Sequence, residues 1–235
     1  MAATHGRLAV VGAGRVGRTI TRLLPRAAGP FGRGFDGHGF DAILLAVPDS
    51  AIGDAARAIE PGPLVGHCSG ALGLDAVSPH EAFAVHPLMT ITERTGSLAG
   101  AGAAVAGSTA RALAVATGLA ADLGMRAFAI ADDDRAAYHA AASIASNFLV
   151  TLEDAAERLM ATAGPDRSAL APLVRAAVDN WVADGAAALT GPIARGDHAT
   201  VARQRDAIAR RLPELLPMFD EMRALTEALS RRSTP

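Results

Sequence analysis

The chain has 235 residues, half of them apolar and only 4% aromatic, enough for one large core or two small ones built from Ala, Val, Leu and Ile. A net charge of −2 argues against a general nucleic-acid or anionic-membrane binder, and no apolar run approaches the ~20 residues that span a bilayer. The single cysteine, Cys68, rules out an internal disulfide or a CxxC metal site and fits a reducing cytoplasm, and MAATHGR leaves no room for a signal peptide before the first strand.

The spacing predicts a strand at Leu8–Val11, a turn through Gly12, Gly14 and Gly17, and a helix whose Val16, Ile20, Leu23 and Leu24 share one face. Pro25 and Gly29-Pro30 end that helix. The next stretch, GPFGRGF, is rich in glycine and reads as a poor strand. DAILLAVPDS is a continuous apolar run, as expected of a strand covered on both faces. AIGDAARAIEP is a helix, and LVGHCSG, AFAVHPLMT and GAAVAGS are strands. TARALAVATGLAADLG is a helix stopped by Gly124, and RAFAIAD is a last strand. Strands alternating with helices predict a doubly wound, mostly parallel α/β sheet.

From Asp132 the pattern becomes helical through three stretches: DDDRAAYHAAASIASNFLVTLEDAAERLMATAG, PDRSALAPLVRAAVDNWVADGAAAL and ATVARQRDAIARRLPELLPMFDEMRALTEAL. The expected organisation is an α/β domain over residues 1–130 followed by an all-α domain over 131–230, with a disordered RRSTP tail.

GAGRVG (Gly12, Gly14, Arg15, Val16, Gly17) follows a strand and opens a helix, the context in which such glycines hold a dinucleotide pyrophosphate. The alternative is a tight strand-to-helix turn with no ligand. The acidic residue expected about 20 positions further on, to hold the adenosine ribose, has one match by spacing, Asp36. It is either that ligand, with Arg33 the alternative for a 2′-phosphate, or an Asp in a flexible loop. Val47 and Pro48 in AVPDS end a strand where small residues leave room for a nicotinamide ribose, while Asp49 or Ser50 has the alternative role of helix cap.

In HCSG, Ser69 is a hydrogen-bonding candidate toward cofactor or substrate. No GxSxG elbow supports a nucleophile, and Cys68 reads as buried and inert. His86 in VHPLMT is either catalytic or structural. His139, Ser143, Ser146 and Asn147 fall at i, i+4, i+7 and i+8, on one helix face if the helix is regular, and meet either substrate or another helix. In ALTGPIARGDHAT, Arg195 is a carboxylate-pairing candidate, and the plainer reading is a helix stop with Asp197 as the next N-cap. The seven histidines show no HxH or HExxH spacing, so no metal site is expected.

GAGRVG, HCSG-x-L, VHPLMT, YHAAASIASNFLVTLEDA and TGPIARGD together resemble Rossmann-like oxidoreductases that carry a C-terminal domain of unknown function. These are relatives of the 6-phosphogluconate dehydrogenase and pyrroline-5-carboxylate reductase group that include alternative ketopantoate reductases. The resemblance implies NADP or NAD as cofactor and a small-molecule substrate, a carboxylated carbonyl compound such as a 2-oxo acid. It also implies a homodimer through the helical domain. The sequence departs from the pattern between the fingerprint helix and DAILLAVPD, where the second strand, helix and third strand are cut to residues 26–40. That departure leaves a second reading, a nucleotide-binding or scaffolding relative without turnover. Every one of the 22 basic residues is arginine, so no lysine can act as general acid, and His139 or His86 is the expected proton donor, with Asn147 and Ser143 orienting the carbonyl.

Overall fold

A computed structural model describes residues 6–233, and the first half of the chain is built on one seven-stranded sheet. Its strands are β1 (Leu8–Val11), β2 (Ala28–Phe31), β3 (Ala42–Leu45), β4 (Leu64–His67), β5 (Ala82–Leu88), β6 (Gly102–Gly107) and β7 (Arg126–Ala129), in the spatial order β2-β1-β3-β4-β5-β6-β7. Neighbours run parallel except β5 and β6, as the doubly wound pattern predicts. The helices between them are α1 (Arg15–Leu23), α2 (Asp49–Arg57) and α3 (Ala110–Asp122).

Every residue of β1, β3 and β4 is buried, which is why β1 and β3 are apolar throughout rather than alternating, and β4 is apolar up to His67 at its end. Successive side chains point to opposite faces. Leu8, Val10 and Leu44 therefore pack with Ile20 of α1 and Val115 and Leu119 of α3. On the other face Val11, Ile43, Leu45 and Val65 pack with Ile52 and Ala56 of α2.

Glycine and proline in AGPF argue against a strand, yet these residues form β2 and pair with β1. The reason is position. β2 is the sheet's edge, so the missing N–H of Pro30 costs no ladder bond on the unpaired side, and the pairing absorbs a register shift between Ala9 and Val11. The chain then returns to β3, on the far side of β1, with no helix between. Phe31, Phe35 and Phe40 pack against the second apolar layer in its place. The Phe31 and Phe35 rings stack at 4.1 Å, and Phe40 stands 5.7 Å from each.

The chain divides into two compact units, 1–146 and 147–235. Strand structure ends with β7 at Ala129, but α4 (Arg135–Ser143) belongs to the sheet unit. A π-helical segment, Ile144–Phe148, comes next, then α5 (Leu149–Ala161), α6 (Arg167–Asp184), α7 (His198–Arg211) and α8 (Leu216–Ser233). The last predicted helix is thus two, broken before Pro213, which has no N–H for the helix and restricts Leu212 before it. α8 runs through Arg231 and Arg232, so the expected disorder of the tail does not apply to them, while 234 and 235 lie outside the described residues. The signal-peptide expectation rests largely on residues 1–5, which also lie outside them. Among the described residues no helix is long and apolar enough to cross a membrane.

In the helical unit the buried apolar side chains are Ala155, Val201 and Ile208, whereas Phe148, Val150, Leu173, Trp181, Val182 and Leu225 are exposed. Val178, Trp181 and Val182 have helical spacing, so they make an exposed apolar stripe along α6.

Candidate functional site

The carboxyl ends of β1, β3, β4 and β5 carry the four strand-end motifs, at the edge where open α/β sheets bind ligands. At β1 the glycines have specific work. A side chain on Gly12, whose φ is +111°, would overlap the Ala46 carbonyl oxygen and stand 3.0 Å from Val47. One on Gly17 would overlap the Gly12 carbonyl, so this glycine lets α1 sit against the strand. Gly14 differs, because a Cβ there would meet open space. Gly14 is the N-cap of α1 and no side chain caps the helix, so its first N–H groups lie beside that open space, with Arg15 exposed and Val16 packed against the core. Pro48, after Val47, precedes α2.

Ser69 is not placed as expected. It is 5% exposed, and its hydroxyl donates to Asp49 Oδ2 at 2.8 Å while accepting from the Ala71 and Leu72 N–H groups at 3.1 and 3.0 Å. A hydroxyl has one donor and two acceptor sites. All are used, so Ser69 holds the HCSG turn and has nothing left for a cofactor. Asp49 consequently serves Ser69, and neither it nor Ser50 caps α2. His67 secures the same turn, its Nδ1 accepting the Ser69 N–H and its Nε2 facing the Gly73 carbonyl at 3.0 Å. That pairing puts the proton on Nε2, and burial holds the imidazole below its ordinary pKa. Cys68 packs against the core, and burial pushes its thiol up to about 12, leaving it inert.

Asp36 needs the larger correction. Its carbonyl accepts the Glu60 N–H at 2.9 Å and its Oδ1 accepts the His38 N–H at 2.9 Å. It lines a cavity of about 460 Å³ with Gly6, Asp41, Glu60 and Leu64, at the amino ends of β1, β3 and β4. The Gly12–Gly17 turn lies at the opposite edge of the sheet, so Asp36 does not stand beside it as a ribose ligand would. The missing crossover helix explains the miss: with β2 running straight back to β3, twenty residues past the fingerprint is already the wrong edge. The residues at the carboxyl end of β2 are instead Gly32, Arg33 and Gly34, directly after the Phe31 carbonyl that accepts the Gly12 N–H at 2.9 Å. Arg33 is exposed and has no ion pair among the described residues.

α4 brings Tyr138 and His139 to the end of β5. The Tyr138 hydroxyl lies 2.6 Å from His86 Nδ1 with the rings edge to face, and the His139 ring centroid is 6.2 Å from that of His86. Gly70 of HCSG fits between them, since a Cβ there would stand 2.8 Å from His86 Cε1 and 3.0 Å from His139 Cδ2. Desolvation first, then the neighbouring His139, lowers the His86 pKa to about 4. Arg135, buried and paired with Asp132 at 2.7 Å, adds positive charge beside the cluster. His86 and His139 are candidates from the sequence, and Tyr138 is a third member of the cluster that the motifs do not mark. The signal available was a lone polar aromatic in an alanine-rich helix.

The polar stripe is only partly kept. His139 and Ser143 lie one helical turn apart on α4, but the π segment begins at Ile144 and breaks the 3.6-residue period that was to carry Ser146 and Asn147 onto the same face. Ser146 Oγ donates to the Ala142 carbonyl at 2.7 Å. In the helical unit Asn147 is exposed and its carbonyl accepts from Thr151. Arg195 is exposed in the loop before α7, where Asp197 caps the helix by accepting the Thr200 N–H at 3.0 Å, as the plainer reading of that loop had it.

Residues 102–226, just over half of the chain, match the family described as a domain of unknown function, DUF2520. The match contains the YHAAASIASNFLVTLEDA and TGPIARGD stretches on which the resemblance rests. Among solved structures the chain is similar to a protein of Bacteroides fragilis provisionally named an NADP oxidoreductase, at 15% identity and a TM-score of 0.82, over 97% of this chain and 100% of that one. A protein of Thermotoga maritima matches at 23% identity and a TM-score of 0.80, over 97% and 100% of the two chains. A 1-pyrroline-5-carboxylate reductase of Streptococcus pyogenes matches at 10% identity and a TM-score of 0.63, over 96% and 99%. At these identities the likeness is one of fold, and it is Rossmann-like with a helical C-terminal region. No curated protein sequence matches the chain.

Proposed function

We infer that this chain, which belongs to the DUF2520 family, is an NAD(P)H-dependent reductase of a small carboxylated carbonyl compound. One observation carries the reading: an uncapped helix N-terminus with open space at Gly14 shares a sheet edge with the imidazole and phenol groups of His86, His139 and Tyr138. Gly12, Gly14, Arg15, Val16 and Gly17 would hold the pyrophosphate, and Val47 and Pro48 would flank the nicotinamide ribose. When bound, the reduced nicotinamide supplies a hydride to the carbonyl carbon.

With Asp36 at the other edge, Arg33 is the remaining adenosine-side candidate. A guanidinium suits a 2′-phosphate, and Gly32, Arg33 and Gly34 at the end of β2 offer a guanidinium and no carboxylate, which favours NADP. The presence of β2 beside the phosphate turn also favours a working reductase over a remnant. On chemistry alone, Arg195 is assigned the substrate carboxylate, and Asn147 and Ser143 the carbonyl. The exposed α6 stripe supports a homodimer through the helical unit.

The test is a titration with NADPH and NADH followed by nicotinamide fluorescence, then turnover of ketopantoate as the first substrate. Absence of binding by either nucleotide up to about 1 mM, the top of the ordinary KM range, overturns the reading. If His139→Ala turns over at the wild-type rate, His139 has no catalytic part.

A further inference from the structure

Reduction of a carbonyl needs a proton for the oxygen, and this chain has no lysine to give one. His86 is a poor donor as an imidazolium because its surroundings keep it neutral. Burial acts first, and the neighbouring His139, Arg135 and His67 act in the same sense, with Asp49 opposing. A neutral imidazole gives up its remaining N–H far less readily than a phenol gives up its O–H. The phenol is present: the Tyr138 hydroxyl is 2.6 Å from His86 Nδ1, its ring is braced edge to face by His86 at 5.5 Å and Phe128 at 6.0 Å, and Tyr138 is only half-buried. His86 Nε2 has no hydrogen bond to the described residues. Among them no fully buried side-chain nitrogen or oxygen lacks a partner, so Nε2 keeps some exposure to solvent. His139, by contrast, is exposed and makes a ring contact but no hydrogen bond among the described residues that would fix it.

We propose that Tyr138 is the catalytic proton donor, delivering its hydroxyl proton to the substrate carbonyl oxygen and taking a replacement from His86 Nδ1. This rests on the reductase reading. The carbonyl carbon gains a hydride from NAD(P)H, and the C=O π pair moves to oxygen. That oxygen bonds the Tyr138 proton as the O–H bond breaks. Nε2 of neutral His86 takes a proton from water as the phenolate oxygen takes the Nδ1 proton, so no imidazolate forms. His86 ends neutral in the other tautomer, and exchange through Nε2 resets it. The balance is one hydride and one solvent proton added across the carbonyl.

Tyr138 is the only tyrosine in the chain, so its ionisation can be read by ultraviolet absorbance without assignment. The experiment compares wild type, Tyr138→Phe and His86→Phe for NADPH binding, ketopantoate turnover with its pH profile, and the tyrosinate titration of the two proteins that keep the phenol. Circular dichroism checks the fold of each. Tyr138→Phe is expected to bind NADPH within about twofold of wild type and to lose at least ~100-fold in kcat with KM little changed, the range of a lost general acid. His86→Phe keeps an aromatic ring against the phenol but removes the Nδ1 donor, so the tyrosinate midpoint should rise by about half a pH unit or more. A Tyr138→Phe kcat within about threefold of wild type overturns the proposal while leaving the reductase reading intact. Failure of wild type to bind either nucleotide overturns both. If wild type binds NADPH but leaves ketopantoate unreacted, the titration decides, and an unmoved midpoint in His86→Phe overturns the proposal.

Discussion

The sheet unit and the helical unit draw on the same small apolar residues and bury them very differently. Phe83, Leu8, Ile20, Ile43 and Leu119 are at most 1% exposed, while Trp181 and Val182 of α6 are 65% and 71% exposed. A sheet clad on both faces closes its own core. The helices after the π segment leave theirs open, and under the proposed dimer a second copy of α6 completes it. Identical chemistry removed from the two regions should therefore act on different equilibria.

The largest effect is expected at Phe83. Phe83→Ala should cost about 3–5 kcal/mol of folding free energy, read by denaturant unfolding. A loss below about 1 kcal/mol would mean that the two apolar layers do not form one cooperative core. Ser69→Ala should come next, at about 1–3 kcal/mol, because it strands the Asp49 carboxylate and two backbone N–H groups.

Acid should then separate the units. The folded-state pKa values of His67 and His86 are both lowered, that of His86 to about 4, so the unfolded chain binds protons that the folded one refuses. The sign is thus a stability that is full above the unfolded value near 6.5 and falls as pH drops toward about 4, by up to about 1.4 kcal/mol per pH unit for each proton. Both groups lie in the sheet unit, and Trp181, the only tryptophan, reports from the helical one. Far-UV circular dichroism should register loss of the sheet unit before Trp181 fluorescence changes, and simultaneous loss would show the two units to be coupled.

Arg33→Ala should weaken NADPH binding by about 10- to 100-fold and leave NADH unchanged, the loss of one charge-assisted phosphate contact. Equal weakening of both would remove Arg33 from the 2′-phosphate. The smallest effect on folding is expected at Trp181. Trp181→Ala should leave the unfolding free energy of dilute protein within about 0.5 kcal/mol. It should nevertheless shift light-scattering mass from dimer to monomer. A destabilisation comparable to that of Phe83→Ala would mean that the helical unit has a core of its own.

Much of this was legible in the linear chain. A continuous apolar run marked β3, and glycine spacing marked the turn between β1 and α1, because each signal is confined to neighbouring residues. β2 was hidden, since Gly29 and Pro30 read as breakers unless one knows that the strand lies at an edge. Asp36 misled because spacing predicts an edge of the sheet only when the crossover has its usual length. The Ser146 and Asn147 assignments assumed a helical period that the π segment interrupts.

The sequence by itself determined the alternation of strands and helices, the change to an all-helical half, the absence of lysine, and which motifs end strands. These are set by local periodicity and composition, which need no knowledge of distant partners. Tertiary structure alone decided what the side chains at those ends do. It engaged the Ser69 hydroxyl with Asp49, carried Asp36 to the far edge, and set Tyr138 against His86 across 52 positions of chain. A hydrogen bond depends on angstroms between atoms, and spacing along a chain does not carry that information once the path between them is free to turn.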